Sequence, residues 1–534
     1  MFLEGDRFVS SLMDRIDPEL PPAAQTAPSR APVRKERHLW ARDLRVGSGL
    51  LFFGILAIAA VLRFVFLGQN SVWRDEAVVV WVAKFRWHDL LPVLRLREVH
   101  PPLYFVLMKA WIGKAGTGEA AIRIPSAVFS LLSVVLTYFL ARWVAPEPTS
   151  LLSAFLVAVA PLQIMIGQDA GTYALLGMLA VGSTFALLWS VVWGGYRWFV
   201  YLGLITLMVY TDYLGFLVLI AQGIWMALYE RANLRRWLVS LGFLVLLYIL
   251  WVPSLIVQLT HQFAFSPHAL LSLDEQAKRL GGLFGLFAFG GSLFGMPSLF
   301  FADSPRGPVE QFLILLPFLV VLWRGVAAFD RSNLALIGCA FLVPIVVVFT
   351  LPLDKPAPDG RWFSYLVPFY ATILARGIVD LSQAFRERQD RVLAVLTALL
   401  LVYSIPVLIR YYFDPDFRPY QYRAAAALVA KWSKPGDMFV YGDDTNSLAF
   451  SYYFHRHTPQ LYLTPNPDFK AVRGLAGRYP RVWLILTSPM DDTTLTQTLS
   501  ELRSSYRFAG ESSITGTPNY PWVYLFEAKP RGAR

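Results

Sequence analysis

Residues 47–76 read GSGLLFFGILAIAAVLRFVFLGQNSVWRDE. The apolar run 47–68 is long enough to cross a bilayer, which takes about 20 residues. Ser71-Val72-Trp73-Arg74-Asp75-Glu76 follows directly beyond it. Two adjacent carboxylates at a membrane boundary repel each other and sit poorly there. The pair is therefore either a solvated loop with Arg74 as local partner, or a general base placed beside the bilayer to accept a proton from an attacking hydroxyl or amine.

Working outward, further apolar runs occur at 123–142, 149–167, 172–193, 196–212, 213–229, 237–258, 309–323, 333–353, 362–380 and 391–411. With the first run they predict about eleven transmembrane helices. Composition agrees: charged residues make up 16% of the 534-residue chain and hydrophobic residues 56%, with a mean hydropathy of +0.47. Soluble domains carry about a quarter charged residues. The formal charge of +11 is spread over short clusters between apolar runs, such as Arg231, Arg235 and Arg236, or Arg386, Arg388 and Arg391. Clusters so placed mark cytoplasmic loop ends. No basic and aromatic face forms outside the membrane, so nucleic acid is not an expected partner.

Orientation follows from the same clusters. Residues 1–46 are polar, Pro-rich and basic, and are expected to form a disordered cytoplasmic tail rather than a signal peptide. Arg142, Arg197, Arg324 and Arg331 then also fall in cytoplasmic loops. The short run from Leu103 to Ile112, opened by His100-Pro101-Pro102, decides the count, because treating it as a span would invert everything after it. A run of that length is more often interfacial or re-entrant. It is assigned to the outer surface within a first outer loop, 69–122, and the Gly-rich stretch 281–301 is treated likewise. That first loop is itself basic, as expected if it binds something anionic.

Beyond residue 412 the character changes. The stretch 420–432 reads as a helix, Lys434-Pro435-Gly436-Asp437 as a turn, and 438–441, 481–486 and 522–526 as strands. The fold class is therefore a mainly α polytopic membrane domain over 47–412, followed by a small extracytoplasmic α/β domain over 413–534. The single cysteine, Cys339, lies in an apolar run and excludes intrachain disulfides and thiolate zinc sites. No nucleotide-binding glycine fingerprint or Walker loop is present.

Three further motifs follow the acidic pair in order: His100-Pro101-Pro102-Leu103-Tyr104; Gly116-x-Gly118-Glu119-x-x-x-Arg123-x-Pro125-Ser126; and Gln168-Asp169-Ala170-Gly171-Thr172-Tyr173. In this order and spacing they resemble the dolichyl-phosphate-mannose–protein mannosyltransferase family and its bacterial relatives. Those relatives include the aminoarabinose transferase that modifies lipid A, and all belong to the GT-C superfamily of membrane glycosyltransferases. The resemblance covers the first 230 residues well and the later spans loosely.

The resemblance implies inverting transfer of a sugar from a polyprenyl-phosphate donor to a lipid, glycan or protein acceptor. The expected setting is the outer face of a bacterial inner membrane. It implies Asp75 as catalytic base with Glu76 beside it, and Asp169 orienting the acceptor or an ion. The donor would be bound by His100, Pro101, Arg123, Tyr173, Arg361 and Tyr365, with Arg361 on the phosphate through a bidentate guanidinium contact. No cofactor is required with certainty.

Two positions depart from the pattern. Relatives often carry Arg where this chain has Gly171, and His where it has Asp212. Asp212 could still ligate a hard divalent cation. These departures motivate one alternative, a non-catalytic scaffold on the same fold. A transporter or flippase is the other, but it calls for mid-span charges and repeats, whereas the acids here cluster in outer loops.

Overall fold

The computed structural model describes residues 46–261, 273–289, 308–350, 360–414, 421–456, 458–463, 468–487, 492–513 and 521–529. The expected tail lies outside them apart from Val46. So does 290–301 of the Gly-rich stretch, whose described part is the end of a helix, Leu273–Phe289.

The described residues are mainly helical, and each of the eleven apolar runs falls, over most of its described part, on a helix. By length and composition five helices could each cross a membrane, or eight spans if three bent pairs each count as one. The runs at 196–212, 213–229 and 309–323 fall on shorter apolar helices. The elements that build the site are α1 (Val46–Phe64), α2 (Arg74–Ala83), α3 (Trp87–Arg97), α4 (Leu103–Ala115), α5 (Glu119–Val144), α6 (Glu147–Val159), α7 (Pro161–Gly167) and α8 (Thr172–Trp193). They are followed by α9 (Arg197–Thr211), α10 (Gly215–Tyr229), α11 (Arg231–Tyr248), α12 (Val252–His261), α13 (Leu273–Phe289), α14 (Pro308–Ala328), α15 (Arg331–Thr350), a 3₁₀ turn (Gly360–Leu366), α16 (Val367–Gln383) and α17 (Gln389–Phe413).

Helix α4 occupies the run that decided the orientation. It is a short helix packed on α2 and α5. Lys109 on α4 donates to Ala83 O (2.8 Å) and Phe85 O, so an ammonium satisfies the carbonyls at the C-terminal end of α2, where the helix dipole favours a cation.

Helices α6 and α7 bend by 59° at Ala160-Pro161, because proline removes a hydrogen-bond donor and clashes with the preceding turn. The carbonyls released at the break are taken by Arg63 of α1. Arg63 is fully buried and donates to Val157 O (3.1 Å), Ala158 O (2.9 Å) and Ser130 Oγ (2.8 Å). Gln168, just beyond α7, donates its amide to Leu62 O, Arg63 O and Val65 O at 3.0–3.2 Å, closing the end of α1. Helices α14 and α16 approach through glycine: a Cβ at Gly325 would lie 2.0 Å from Ile373 O, and one at Gly377 1.9 Å from Val321 O. Only glycine permits this backbone contact.

The C-terminal region, α18 (Tyr422–Trp432), β1 (Met438–Tyr441), α19 (Asp444–Tyr453), β2 (Gln460–Tyr462), α20 (Phe469–Gly474), β3 (Arg481–Leu486), α21 (Asp492–Ser505), β4 (Tyr506–Ser513) and β5 (Trp522–Ala528), forms the expected α/β unit. Its sheet runs β2-β1-β3-β5-β4, parallel from β2 to β3 and antiparallel thereafter. Alternation along the strands sends Phe439, Tyr441, Trp483 and Ile485 into the core shared with the membrane helices, and Val440, Val482 and Leu484 into a separate core. Helix α19 packs on α2, so the C-terminal unit and the first loop lie on the same side of the helical bundle.

Arg63→Met keeps the volume of the side chain but orphans the carbonyls at the α6–α7 break, at about 1–3 kcal/mol each. The expected outcome is a loss of a few kcal/mol in a detergent unfolding titration.

Candidate active site

Glu76 and Arg123 form the most deeply buried ion pair in the region. Arg123 Nε donates to Glu76 Oε1 and Nη2 to Oε2, both at 2.6 Å, with side chains 3% or less exposed. Glu76 Oε1 also accepts from Ala170 N–H (3.0 Å), and Oε2 from Trp73 N–H (3.4 Å). The remaining guanidinium donors of Arg123 go to Leu67 O, Asn70 O and Ser71 O at 2.9–3.1 Å. Arg has five N–H groups, and all are used. All five donors of Arg123 are thus engaged and Glu76 accepts four hydrogen bonds, so the pair holds the loop together.

Asp75 is different. It sits in the first turn of α2 and remains 34% exposed. Its Oδ1 accepts from Arg74 Nε (2.8 Å) and its Oδ2 from Arg361 Nη1 (2.9 Å). Burial alone would raise its pKa, but the charges and hydrogen bonds of Arg361 and Arg74 outweigh it and hold the carboxyl below the ordinary range. Arg361 comes from the 3₁₀ turn, whose Ser364 O is held by Gln163 Nε2 of α7 (2.6 Å). Its guanidinium carbon lies 4.4 Å from the centroid of Trp73 and 5.6 Å from that of Tyr173. Two aromatic faces thus orient the cation toward Asp75.

Trp73 couples this pair to the second acid, since its Nε1 donates to Asp169 Oδ1 at 2.7 Å. Asp169 is buried. Burial first, and the Glu76 charge second, push its pKa up to about 7 against the opposing pull of Arg361. Gly171 lies against it: a Cβ there would meet Asp169 Oδ2 at 3.1 Å. Position 171, where relatives carry Arg, is therefore filled on this side by the carboxylate itself.

His100 closes the other side. Its Nδ1 lies 3.3 Å from Glu98 Oε2 and its Nε2 3.8 Å from Asp212 Oδ2, with Tyr173 edge-on at 6.3 Å. Burial would lower its pKa, but the Glu98 hydrogen bond and the charges of Asp212, Glu98 and Asp75 raise it, favouring the imidazolium. Asp212 also accepts from Thr172 Oγ1 (3.1 Å) and Leu214 N–H (3.0 Å). Among the described residues no three His, Cys, Asp or Glu side chains gather as a metal site.

Pro101 and Pro102 are buried at the start of α4, where they fix the chain behind His100. Tyr365 is 1% exposed, and its hydroxyl has no hydrogen-bond partner among the described residues.

The structure thus brings together Asp75, Asp169, Tyr173, His100 and Arg361, with Asp212 behind His100. Sequence reasoning missed Glu98 and the bridging role of Trp73, although Trp73 stood inside the quoted motif.

Two outcomes follow from this geometry. Glu76→Gln leaves the Arg123 guanidinium buried without a counter-ion, at about 3–5 kcal/mol. It should lower the melting temperature sharply, whereas Asp75→Asn, at a carboxylate that is 34% exposed, should lower it by less. The second outcome concerns Asp169, whose proton is held more tightly in the folded chain than in the unfolded one. The stability it lends is present below the ordinary carboxylate range and is lost as pH rises through about 7. Asp169→Asn keeps an oxygen for Trp73, so it should raise the melting temperature relative to the unaltered chain at about pH 8.5 and not at about pH 5.

Residues 99–256 match the dolichyl-phosphate-mannose-protein mannosyltransferase family. No curated protein matches the chain in sequence. Among solved structures, ArnT from Cupriavidus metallidurans bound to undecaprenyl phosphate superposes with a TM-score of 0.56 at 15% identity, covering 91% of this chain and 99% of ArnT. The oligosaccharyltransferase of Archaeoglobus fulgidus in its apo form gives 0.56 at 12% identity, over 90% of this chain and 74% of that one. The arabinofuranosyltransferase AftD from Mycobacteria gives 0.52 at 11% identity, over 90% of this chain and 40% of that one. At these identities the likeness is one of fold: the chain is a multi-pass membrane protein with the GT-C fold of membrane glycosyltransferases.

Proposed function

We propose that the chain is an inverting glycosyltransferase that moves a sugar from a polyprenyl-phosphate carrier to a lipid, glycan or protein acceptor. The observation that carries this reading is the Asp75–Arg361 pair. A partly open carboxylate lies 2.9 Å from a guanidinium that is stacked on two aromatic rings, just beyond the first span. Binding of undecaprenyl phosphate by ArnT, which shares the fold over its whole length, supports a donor of this class. The family match over 99–256 contains His100, Arg123, Asp169 and Tyr173.

The residues would act as follows. The donor phosphate docks on the Arg361 guanidinium, which Trp73 and Tyr173 hold in place. An acceptor hydroxyl or amine attacks the anomeric carbon from the opposite face as its proton passes to a carboxylate oxygen of Asp75. The bond between the anomeric carbon and the phosphate oxygen breaks, and its electron pair leaves with the polyprenyl phosphate. Arg361 stabilises the charge that accumulates there. Protonated His100 adds a second positive charge at the same side.

We place the reaction at the outer face of a bacterial cytoplasmic membrane, with the C-terminal α/β unit on that face. The packing of α19 on α2 and the basic clusters at the opposite loop ends support this placement. Residues 1–46 are assigned to the cytoplasmic side on the same charge argument.

In proteoliposomes supplied with a panel of labelled polyprenyl-phosphate sugars and an acceptor-containing membrane extract, Asp75→Asn should lower kcat by about 10²–10⁴, the usual contribution of a general base. Arg361→Lys keeps the charge but loses the stacking and the fork, and should raise the donor KM as well as lower kcat. Full activity in Asp75→Asn would remove Asp75 as the base and move that role to another acid, Asp169 first, whereas no transfer from any donor by the stably folded, unaltered chain would favour the scaffold reading.

A further inference from the structure

We infer that Tyr453 and Arg423 of the C-terminal unit are positioning residues for Asp75, and that this unit clamps the reactive end of α2 from outside. The inference rests on the reading of Asp75 as the base and assigns the C-terminal unit a part in the same reaction.

The segment 67–73 that delivers Asp75 is not part of any helix or strand, so its conformation depends on what its backbone groups meet. From the membrane side, Arg123 takes Leu67 O, Asn70 O and Ser71 O. From the other side, a set of hydrogen bonds reaches it from residues more than 300 positions later, on the C-terminal unit and, through Tyr412, at the end of α17. Tyr453 Oη accepts from Val72 N–H at 2.6 Å and donates to Glu119 Oε1. Arg423 N–H donates to Ser71 Oγ (3.3 Å), its Nη2 to Gly68 O (3.1 Å), and its guanidinium pairs with Glu119. Tyr452 Oη donates to Thr117 O, and Gln69 Nε2 donates to Tyr412 O (3.1 Å).

Val72 is fully buried, so without the Tyr453 hydroxyl its N–H would be left unpaired in the interior. Asp75 begins three residues further on, in the first turn of α2, with α19 packed along that helix. A shift of about 1 Å at a reacting group can cost about 10²-fold in rate. A clamp on 68–72 therefore acts first on the placement of Asp75, and on donor affinity only through Trp73, because the backbones of Arg361, Tyr173 and His100 belong to other elements.

Tyr453→Phe and Arg423→Gln test this in the full-length chain, with Arg473→Ala as control. Arg473 pairs with Glu501 on the surface of the C-terminal unit, away from the clamp. Four readouts are taken: amide hydrogen exchange over 70–77, binding of undecaprenyl phosphate alone, melting temperature, and kcat and KM with whichever donor sugar the unaltered chain uses.

Tyr453→Phe is expected to speed exchange at 70–77 and lower kcat about tenfold, with the donor KM changed by less than about twofold and undecaprenyl phosphate binding retained. Arg423→Gln should show the same pattern, and Arg473→Ala neither change. Unchanged exchange or unchanged kcat in Tyr453→Phe overturns the inference. So does a parallel loss of undecaprenyl phosphate binding and melting temperature, which would mark a merely structural contact. If the unaltered chain transfers no sugar from any donor, the proposed function fails instead. Exchange then decides the clamp alone: faster exchange at 70–77 supports it and no change overturns it.

Discussion

The arrangement around the acidic pair depends on one buried interaction, the two-pronged contact between Glu76 and Arg123. Burying a carboxylate and a guanidinium is costly unless each remaining hydrogen-bonding group is also satisfied. Here it is: the backbone of residues 67–71 supplies the acceptors for Arg123, and the N–H groups of Trp73 and Ala170 supply the donors for Glu76. One ion pair therefore fixes the exit from the first span, the start of α2, the base of α5 and the loop carrying Asp169. Its neighbour Asp75 is turned the other way along the helix and stays reachable.

The division of labour between adjacent acids rests on this geometry. Glu76 is spent on structure, and Asp75 faces a cation that other elements hold in place. Asp169 is linked to the same centre through the indole N–H of Trp73, so a single side chain joins the stacked guanidinium to the second acid. The broken helix α6–α7 contributes as well. Its kink lets Gln163 reach the turn that carries Arg361, and the kink itself persists because Arg63 takes the carbonyls it exposes.

Much of this was legible in the sequence. The apolar runs located the helices, because backbone groups in hydrocarbon must be satisfied within the segment. The short run opened by His100-Pro101-Pro102 forms a helix of 13 residues, Leu103–Ala115, shorter than a span requires. The strands at 438–441, 481–486 and 522–526 and the ordered motifs marked the C-terminal unit and the site. The pairing of Glu76 with Arg123 was not legible: in a linear motif, a fully buried carboxylate beside a partly exposed one carries no distinguishing mark. Only burial and the full use of all five guanidinium donors separate them. Nor could the sequence pair Tyr453 with Val72 or Arg423 with Glu119, since hydrogen bonds across more than 300 residues leave no periodicity. Spans bent at proline, such as α6–α7, read as continuous hydropathy and give up their break only in three dimensions.

The stacking of Arg361 between Trp73 and Tyr173 has a consequence for work at a water–lipid boundary. An ammonium or guanidinium exposed to bulk water carries a hydration shell that must be shed before it can touch an anion. Much of the Arg361 guanidinium is already dry, since its side chain is 8% exposed and the Trp73 ring centroid lies 4.4 Å from its carbon. An anion that reached this cation would thus meet one largely dehydrated during folding. Ions dissolved in the surrounding water would have to surrender their own shells to compete for the same cation.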